Sequence, residues 1–298
     1  MAIAADLEVV AQPGFGSTSW LGAVGKAARK NPAGAVAGVV CFLLVILAIA
    51  GPSLSPYSPN RIDFALLHAP TLSHPFGTDN LFRDLLSRII FGARNSLGIG
   101  FAAIAVSIVL GVGLGLTSGY FGGAWDSLVG GFIDIMFAFP ALVLVIFFVT
   151  VFGREFATIS VAIGLILTPY TTRVVRTATL GVRNLQYIEA ATALGSGHLR
   201  IMARHVLPNV AAPIIVVASV NIGLAILIEA SVSFLGLGVS SDTNPSWGRM
   251  LQETRNVWQQ AWWTAIIPGA AISVAVLAFN VFGDALRDAL DPRLRGSR

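Results

Sequence analysis

The sequence predicts an all-α membrane protein with six transmembrane helices, and three observations predict it. Of its 298 residues 55% are hydrophobic and only 11% are charged, a balance far outside the soluble globular range. Mean hydropathy is +0.78, so bilayer hydrocarbon rather than water is the main solvent. Six stretches approach or exceed the roughly 20 apolar residues a helix needs to cross the hydrocarbon core. They are 33–50, 97–118, 130–152, 156–172, 210–235 and 263–283.

In chain order, residues 1–32 are mixed in character and read as a tail. The first span holds the single cysteine, Cys41, which excludes a disulfide within the chain. Its apolar run is long enough to remain as an anchor, and no small-residue cleavage site precedes it, so no cleaved signal peptide is expected. The segment 51–96 opens with Pro52, Pro56 and Pro59. Thr78 or Asp79 is then placed to cap a helix with Leu81, Phe82, Leu85, Leu86, Ile89 and Ile90 on one face. Arg83, Asp84, Ser87 and Arg88 fall opposite, which predicts a helix lying along the outer interface or against the bundle.

Span two contains Gly111, Gly113 and Gly115, small residues that let helices pack closely, and tight-turn chemistry follows in SGYFGGAWD. Span three reads as one continuous helix, and span four is short, ending near Pro169. After span five, Trp247, Trp258, Trp262 and Trp263 are expected as anchors at the membrane surface. Beyond span six, residues 284–298 form a second tail.

Basic residues set the orientation. An inside N-terminus places Lys26, Arg29, Lys30, five arginines between spans four and five, Arg287, Arg293, Arg295 and Arg298 on the cytoplasmic side. That is 12 of the 19, the direction the positive-inside rule expects. The pI near 9.7 therefore reflects topology and lipid contact, and no basic stripe interleaved with aromatics points to nucleic acid.

The stretch Tyr187–Asn209, YIEAATALGSGHLRIMARHVLPN, differs from the spans around it. Leu185, Ile188, Ala191 and Thr192 mark one side of a first short helix; Leu199, Met202, Ala203 and Val206 mark one side of a second. Gly195 supplies the left-handed residue that ends the first, Ser196 or Gly197 begins the second, and Pro208 ends it. Ala190, Ala191 and Ala193 keep the first helix thin, and Glu189 places a carboxylate near its N-terminal turn. Such an elbow serves either as a docking element for a soluble protein or as an ordinary amphipathic connector.

Other chemistry is excluded. Lys26 precedes Ala27 and Lys30 precedes Asn31, so neither lysine sits in a phosphate-binding Gly-Lys-Ser/Thr loop. His68, His74, His198 and His205 form no HExxH pair, and no serine stands in a GxSxG elbow. His198 and His205, flanking the elbow, suit a solvated or partner-facing role better than metal binding. Two carboxylates fall within spans, Asp134 and Glu229, and each must face the bundle, a partner or an interface. Glu229 either lines a pathway or makes an interhelical hydrogen bond.

Glu189-Ala190-Ala191, three residues, Gly195, ten residues and then Val206-Leu207-Pro208 together resemble the cytoplasmic loop of ABC importer permeases. His205 stands where that pattern often has isoleucine, and RHVLPN is similar to the dipeptide/oligopeptide/nickel branch. HPFGTDNLFRDLLSRIIFGARNSL, GYFGGAWDSLVGGFIDIMFAFP, EASVSFLGLG with PSWGRML, and FNVFGDALRDALDPR resemble its C-type membrane subunit, over about residues 30–295. Phe82 stands where a glycine commonly precedes Arg-Asp, Gly131 where arginine is frequent, and Thr171-Thr172 where Trp-Ala is frequent.

The resemblance implies six helices of the ABC importer type with a cytoplasmic coupling elbow, in a bacterial plasma membrane with both termini cytoplasmic. It implies a B-type permease partner, two ABC ATPase domains that bind ATP and magnesium, and an extracytoplasmic peptide-binding protein, with no cofactor in this chain. Glu189, Ala190, Ala191, Gly195, Leu207 and Pro208 would couple to the ATPases. A stand-alone secondary carrier or channel is the alternative, although no inverted repeat or paired broken helices favour it. A membrane scaffold or sensor is a third reading.

Overall fold

Asn31 opens the first helix by accepting the Gly34 N–H at 2.9 Å, with Pro32 in the first turn where its missing N–H costs nothing. The computed structural model describes residues 31–62, 64–239 and 245–290. Lys26, Arg29 and Lys30 of the N-terminal tail, and Arg293, Arg295 and Arg298 of the C-terminal tail, lie outside the described residues.

In order come α1 (Pro32–Leu54), α2 (Leu85–Phe121), α3 (Gly123–Ala138), α4 (Ala141–Phe152), α5 (Phe156–Arg183), α6 (Gln186–Ala193) and α7 (His198–Ile201). A π turn (Met202–Val206), α8 (Leu207–Asn209), α9 (Ala211–Phe234), α10 (Trp247–Glu253) and α11 (Trp263–Leu290) follow. Five helices, α1, α2, α5, α9 and α11, are each long and apolar enough to span; α3 and α4 together supply a sixth crossing, bent by 90°.

That bend corrects the continuous third span. Pro140 has no N–H to donate and drives Phe139 into the extended region (φ −100°, ψ 139°), so the helix stops and restarts. Pro169 behaves differently. It is buried inside α5, which runs on to Arg183, eleven residues beyond the expected end at 172. Thr168, Thr171 and Thr172 around it donate back to carbonyls four residues earlier, at 2.8, 3.2 and 2.8 Å.

The separate helix expected over Leu81–Ile90 is also corrected. Thr78 and Asp79 cannot cap it: the Thr78 hydroxyl bonds His68 and Ala65, and Asp79 Oδ1 takes the N–H groups of Leu81 and Arg83. Phe82 has φ +60°, which breaks helical geometry there. Asp84 is the cap instead, accepting from Ser87 N, and the helix continues from Leu85 straight into span two.

The longest seam joins α2 to α5, which run parallel. A side chain at Gly111 would meet Thr171 at 2.6 Å, at Gly115 the Thr172 carbonyl at 2.6 Å, and at Gly119 Thr179 at 2.8 Å. Close approach is therefore the role of these glycines, although Gly113 faces open space. Ser107 and Thr171 hydroxyls meet across the seam at 2.8 Å.

The helices give the molecule two distinct ends. At the cap end, Trp247 and Trp263 are buried rather than surface anchors. Trp247 Nε1 donates to the Ile89 carbonyl at 3.0 Å and Trp263 Nε1 to the Thr78 carbonyl at 3.2 Å. Trp258 and Trp262 are exposed as expected. Arg83 and Arg88, expected on a polar face, are buried here too. Both donate to Asp79 Oδ2, at 2.7 and 3.2 Å, and to Glu253 Oε2, at 2.6 and 3.0 Å, which pins α10 to the start of α2. The opposite end carries the elbow.

Candidate functional site

α5 ends in a turn closed by Leu185 N–H to the Val182 carbonyl, 3.1 Å, and α6 begins at once. At its far end Gly195 has φ +78°, with its N–H on Thr192 O at 2.9 Å and Ser196 N–H on Ala191 O at 3.1 Å. This paired arrangement is a Schellman stop, and the left-handed residue at its centre favours glycine. Gly197 then precedes α7, as expected for the second helix.

The second helix is not a plain α-helix. Pro208 lacks an N–H, and Met202–Val206 widens into a π turn with Leu207 N–H on Met202 O. Asn209 Nδ2 donates to the His205 carbonyl at 2.6 Å, satisfying an acceptor near the end of the turn. A π turn aligns residues five apart, so Ile201 and Val206 share the buried face with Ile188 and Ala191, and Val210 follows one α turn on. Leu116, Tyr120, Ala178, Val182, Leu207 and Ile214 close this small core, which seats the elbow on the feet of α2, α5 and α9.

The turn also corrects the expected faces. Ala203 is exposed and Leu199 is 77% exposed, while Ile201 lies inside. Leu194, next to the Gly195 stop, is 87% exposed. Together with Ala190 and Ala193 these residues leave an apolar, low-relief outer surface, and Glu189 is exposed beside it. Beside α6 opens a cleft of about 610 Å³ lined by Tyr120, Phe121, Arg183, Glu189, Thr192 and His198, among others. His198 Nδ1 lies 3.1 Å from the Tyr120 hydroxyl, and its ring meets Tyr120 and Phe121 edge-on.

Of the six residues singled out by sequence, Ala191 and Leu207 meet in the elbow core, and Glu189, Ala190, Gly195 and Pro208 face outward. Sequence reasoning missed Leu194 and Tyr120, and put Leu199 on the inner stripe when it faces out. A leucine directly before Gly195, off the apolar stripe, was the available signal for Leu194; Tyr120 had none.

The membrane carboxylates differ. Glu229 is 1% exposed: Ser233 donates to its Oε1 at 2.7 Å, the hydroxyls of Ser96 and Ser246 lie close by, and Oε2 has no hydrogen-bond partner. Asp134 is open, with Arg173 Nη2 at 3.4 Å from its Oδ1.

A family model described as the binding-protein-dependent transport system inner membrane component matches residues 111–296. The chain belongs to this family of transport permeases. A second model, the N-terminal transmembrane domain of oligopeptide transport permease C, matches residues 19–71, so the permease is of the C type. It is 40% identical over 271 residues to the dipeptide transport system permease protein of Alkalihalophilus pseudofirmus, covering 91% of this chain and 89% of that one. It is 41% identical over 261 residues to the glutathione transport system permease protein of Pectobacterium atrosepticum, covering 87% and 86%. The dipeptide permease of Haemophilus influenzae is 39% identical over 274 residues, 89% and 92% of the two chains. These likenesses favour the permease reading over a stand-alone carrier or channel.

Proposed function

We propose that this permease is the C-type membrane subunit of a bacterial plasma-membrane importer for dipeptides or oligopeptides. It forms half of the translocation pathway, and a B-type permease subunit forms the other half. Two ABC ATPase domains, which bind ATP and magnesium, drive it, and an extracytoplasmic peptide-binding protein delivers the cargo. The dipeptide and glutathione relatives support the cargo class.

The observation that carries the reading is the elbow. Its outer surface is apolar and thin, its inner surface grips three spans, and α5 enters it where α9 leaves. A partner that closes on Glu189, Ala190 and Gly195 would move the feet of α5 and α9 together, with Leu207 and Pro208 fixing the angle of exit. Contact that differs between two states of the bundle is what biases one over the other. Gly34 faces Ala285, Gly38 faces Phe282, and Gly283 faces Ser219 in the part of α9 nearer the elbow, so α1 starts and α11 ends toward the elbow end. With the basic residues, this supports cytoplasmic termini. Glu229, buried among Ser96, Ser233 and Ser246, acts as a tie between α9, α2 and α10 rather than as a cargo contact.

Gly195→Asp, which puts a side chain at φ +78°, and Glu189→Lys, which reverses an exposed charge in the first turn of α6, are expected to abolish ATP-dependent uptake in vesicles. Both chains still insert and assemble. Normal uptake with normally coupled ATP hydrolysis in both variants would overturn the docking role.

A further inference from the structure

The folded chain leaves a polar stripe of α5 uncovered. Tyr170, Arg173 and Thr177 sit at i, i+3 and i+7 and share one exposed face, while Thr171, Thr172 and Thr179 point into the seam with α2. Facing Arg173 is Asp134 on α3: their side chains are 56% and 76% exposed and meet through one contact of 3.4 Å. The Arg173 guanidinium also lies 4.7 Å from the centre of the Phe137 ring.

Depth makes the arrangement unusual. Arg173 stands ten residues, about 15 Å, before the end of α5 at Arg183. Asp134 stands eleven residues, about 16 Å, into α3 from Gly123. Both lie about three turns in from the elbow-side ends of their helices, where charged groups of a crossing helix face a bundle interior, a partner or a water-filled cavity and not lipid. Toward the elbow, α3 and α5 are joined again by Asp126 and Arg176, but through two short bonds of 2.5 and 2.6 Å. That doubled bond fixes the foot of α3. The pair above it is single, long and open, and α3 ends one turn later at the Pro140 break.

We propose that Asp134 and Arg173 form a latch in the wall of the translocation pathway that is matched to zwitterionic cargo. Empty, the two charges satisfy each other. A cargo bearing both an ammonium and a carboxylate offers each a replacement partner, so the latch opens without leaving a bare charge in the membrane. Tyr170 and Thr177 flank it with hydroxyls that serve either end of the cargo. The latch rests on the transport reading above, and its test separates the two.

The test uses the complete assembly in vesicles, in a Cys41→Ala background. Tyr170→Cys and Thr177→Cys are expected to react with a membrane-impermeant thiol reagent, and Phe42→Cys on the exposed face of α1 to stay unreactive. A zwitterionic dipeptide with its binding protein should protect both positions; the same dipeptide acetylated and amidated should not. Asp134→Asn and Arg173→Gln should each lower uptake about tenfold, the loss of one polar contact. The exchange Asp134→Arg with Arg173→Asp should recover most of it. Unreactive cysteines at 170 and 177, their cross-linking to the other permease subunit, or unchanged uptake in both single variants would each overturn the latch. Absence of ATP-dependent uptake by the unsubstituted assembly would instead overturn the transport reading.

Discussion

At one end of the bundle, buried Asp79, Arg83 and Arg88 and half-buried Glu253 hold four charges in mutual contact; at the other, the elbow rests on Ile188, Ala191, Ile201, Val206 and Val210. The first arrangement is directional. Its ion pairs hold in one geometry, with Arg88 Nε left without a partner, and displacement strands a charge away from water. Apolar contact in the elbow is non-directional and tolerates sliding so long as area stays buried. The cap end is thus built as a fixed reference, and the elbow end as the part that can be pushed.

The largest expected effect breaks the fixed end. Asp79→Ala removes the acceptor of Arg83 Nε and Arg88 Nη1 and should cost about 3–5 kcal/mol, read as a lowered unfolding temperature of the purified chain in detergent. An unchanged midpoint would mean the charges do not lock the cap. Ile201→Ala, in the elbow core, should cost about 2–4 kcal/mol locally. Hydrogen exchange should then rise over 186–210 and stay level over 77–90 and 247–253; an equal rise at both ends would erase the contrast. Phe82→Gly is the smallest change and has the opposite sign. Phe82 holds φ +60° with its ring exposed, so glycine should stabilise the cap by about 1 kcal/mol. A lowered midpoint would show that the ring's contacts outweigh the backbone strain.

Gly195 was legible because a helix stop with a left-handed residue has a local signature, and the Schellman bonds fall where that signature puts them. The burial of Ile201 and exposure of Leu199 were not, because periodicity assumes 3.6 residues per turn and Met202–Val206 departs from it. Glu229 was legible as a carboxylate in a span; its three serine neighbours come from α2, α9 and the loop before α10. The cap network was hidden for the same reason, since Glu253 lies 170 residues from Arg83.

By itself the sequence determined that the chain is a bundle of membrane helices and that an elbow interrupts it, because apolar transfer and chain-stop chemistry are sums over neighbouring residues. It read one helix through Pro140 and ended another near Pro169, and the structure reverses both. Tertiary structure alone decided that one breaks a helix and the other does not. Pro169 is packed in the α2 seam among threonines that bond nearby carbonyls, and exposed Pro140 has no such support. It likewise decided that Trp247 lies inside and Trp262 outside, since burial depends on which distant helix arrives to cover a residue.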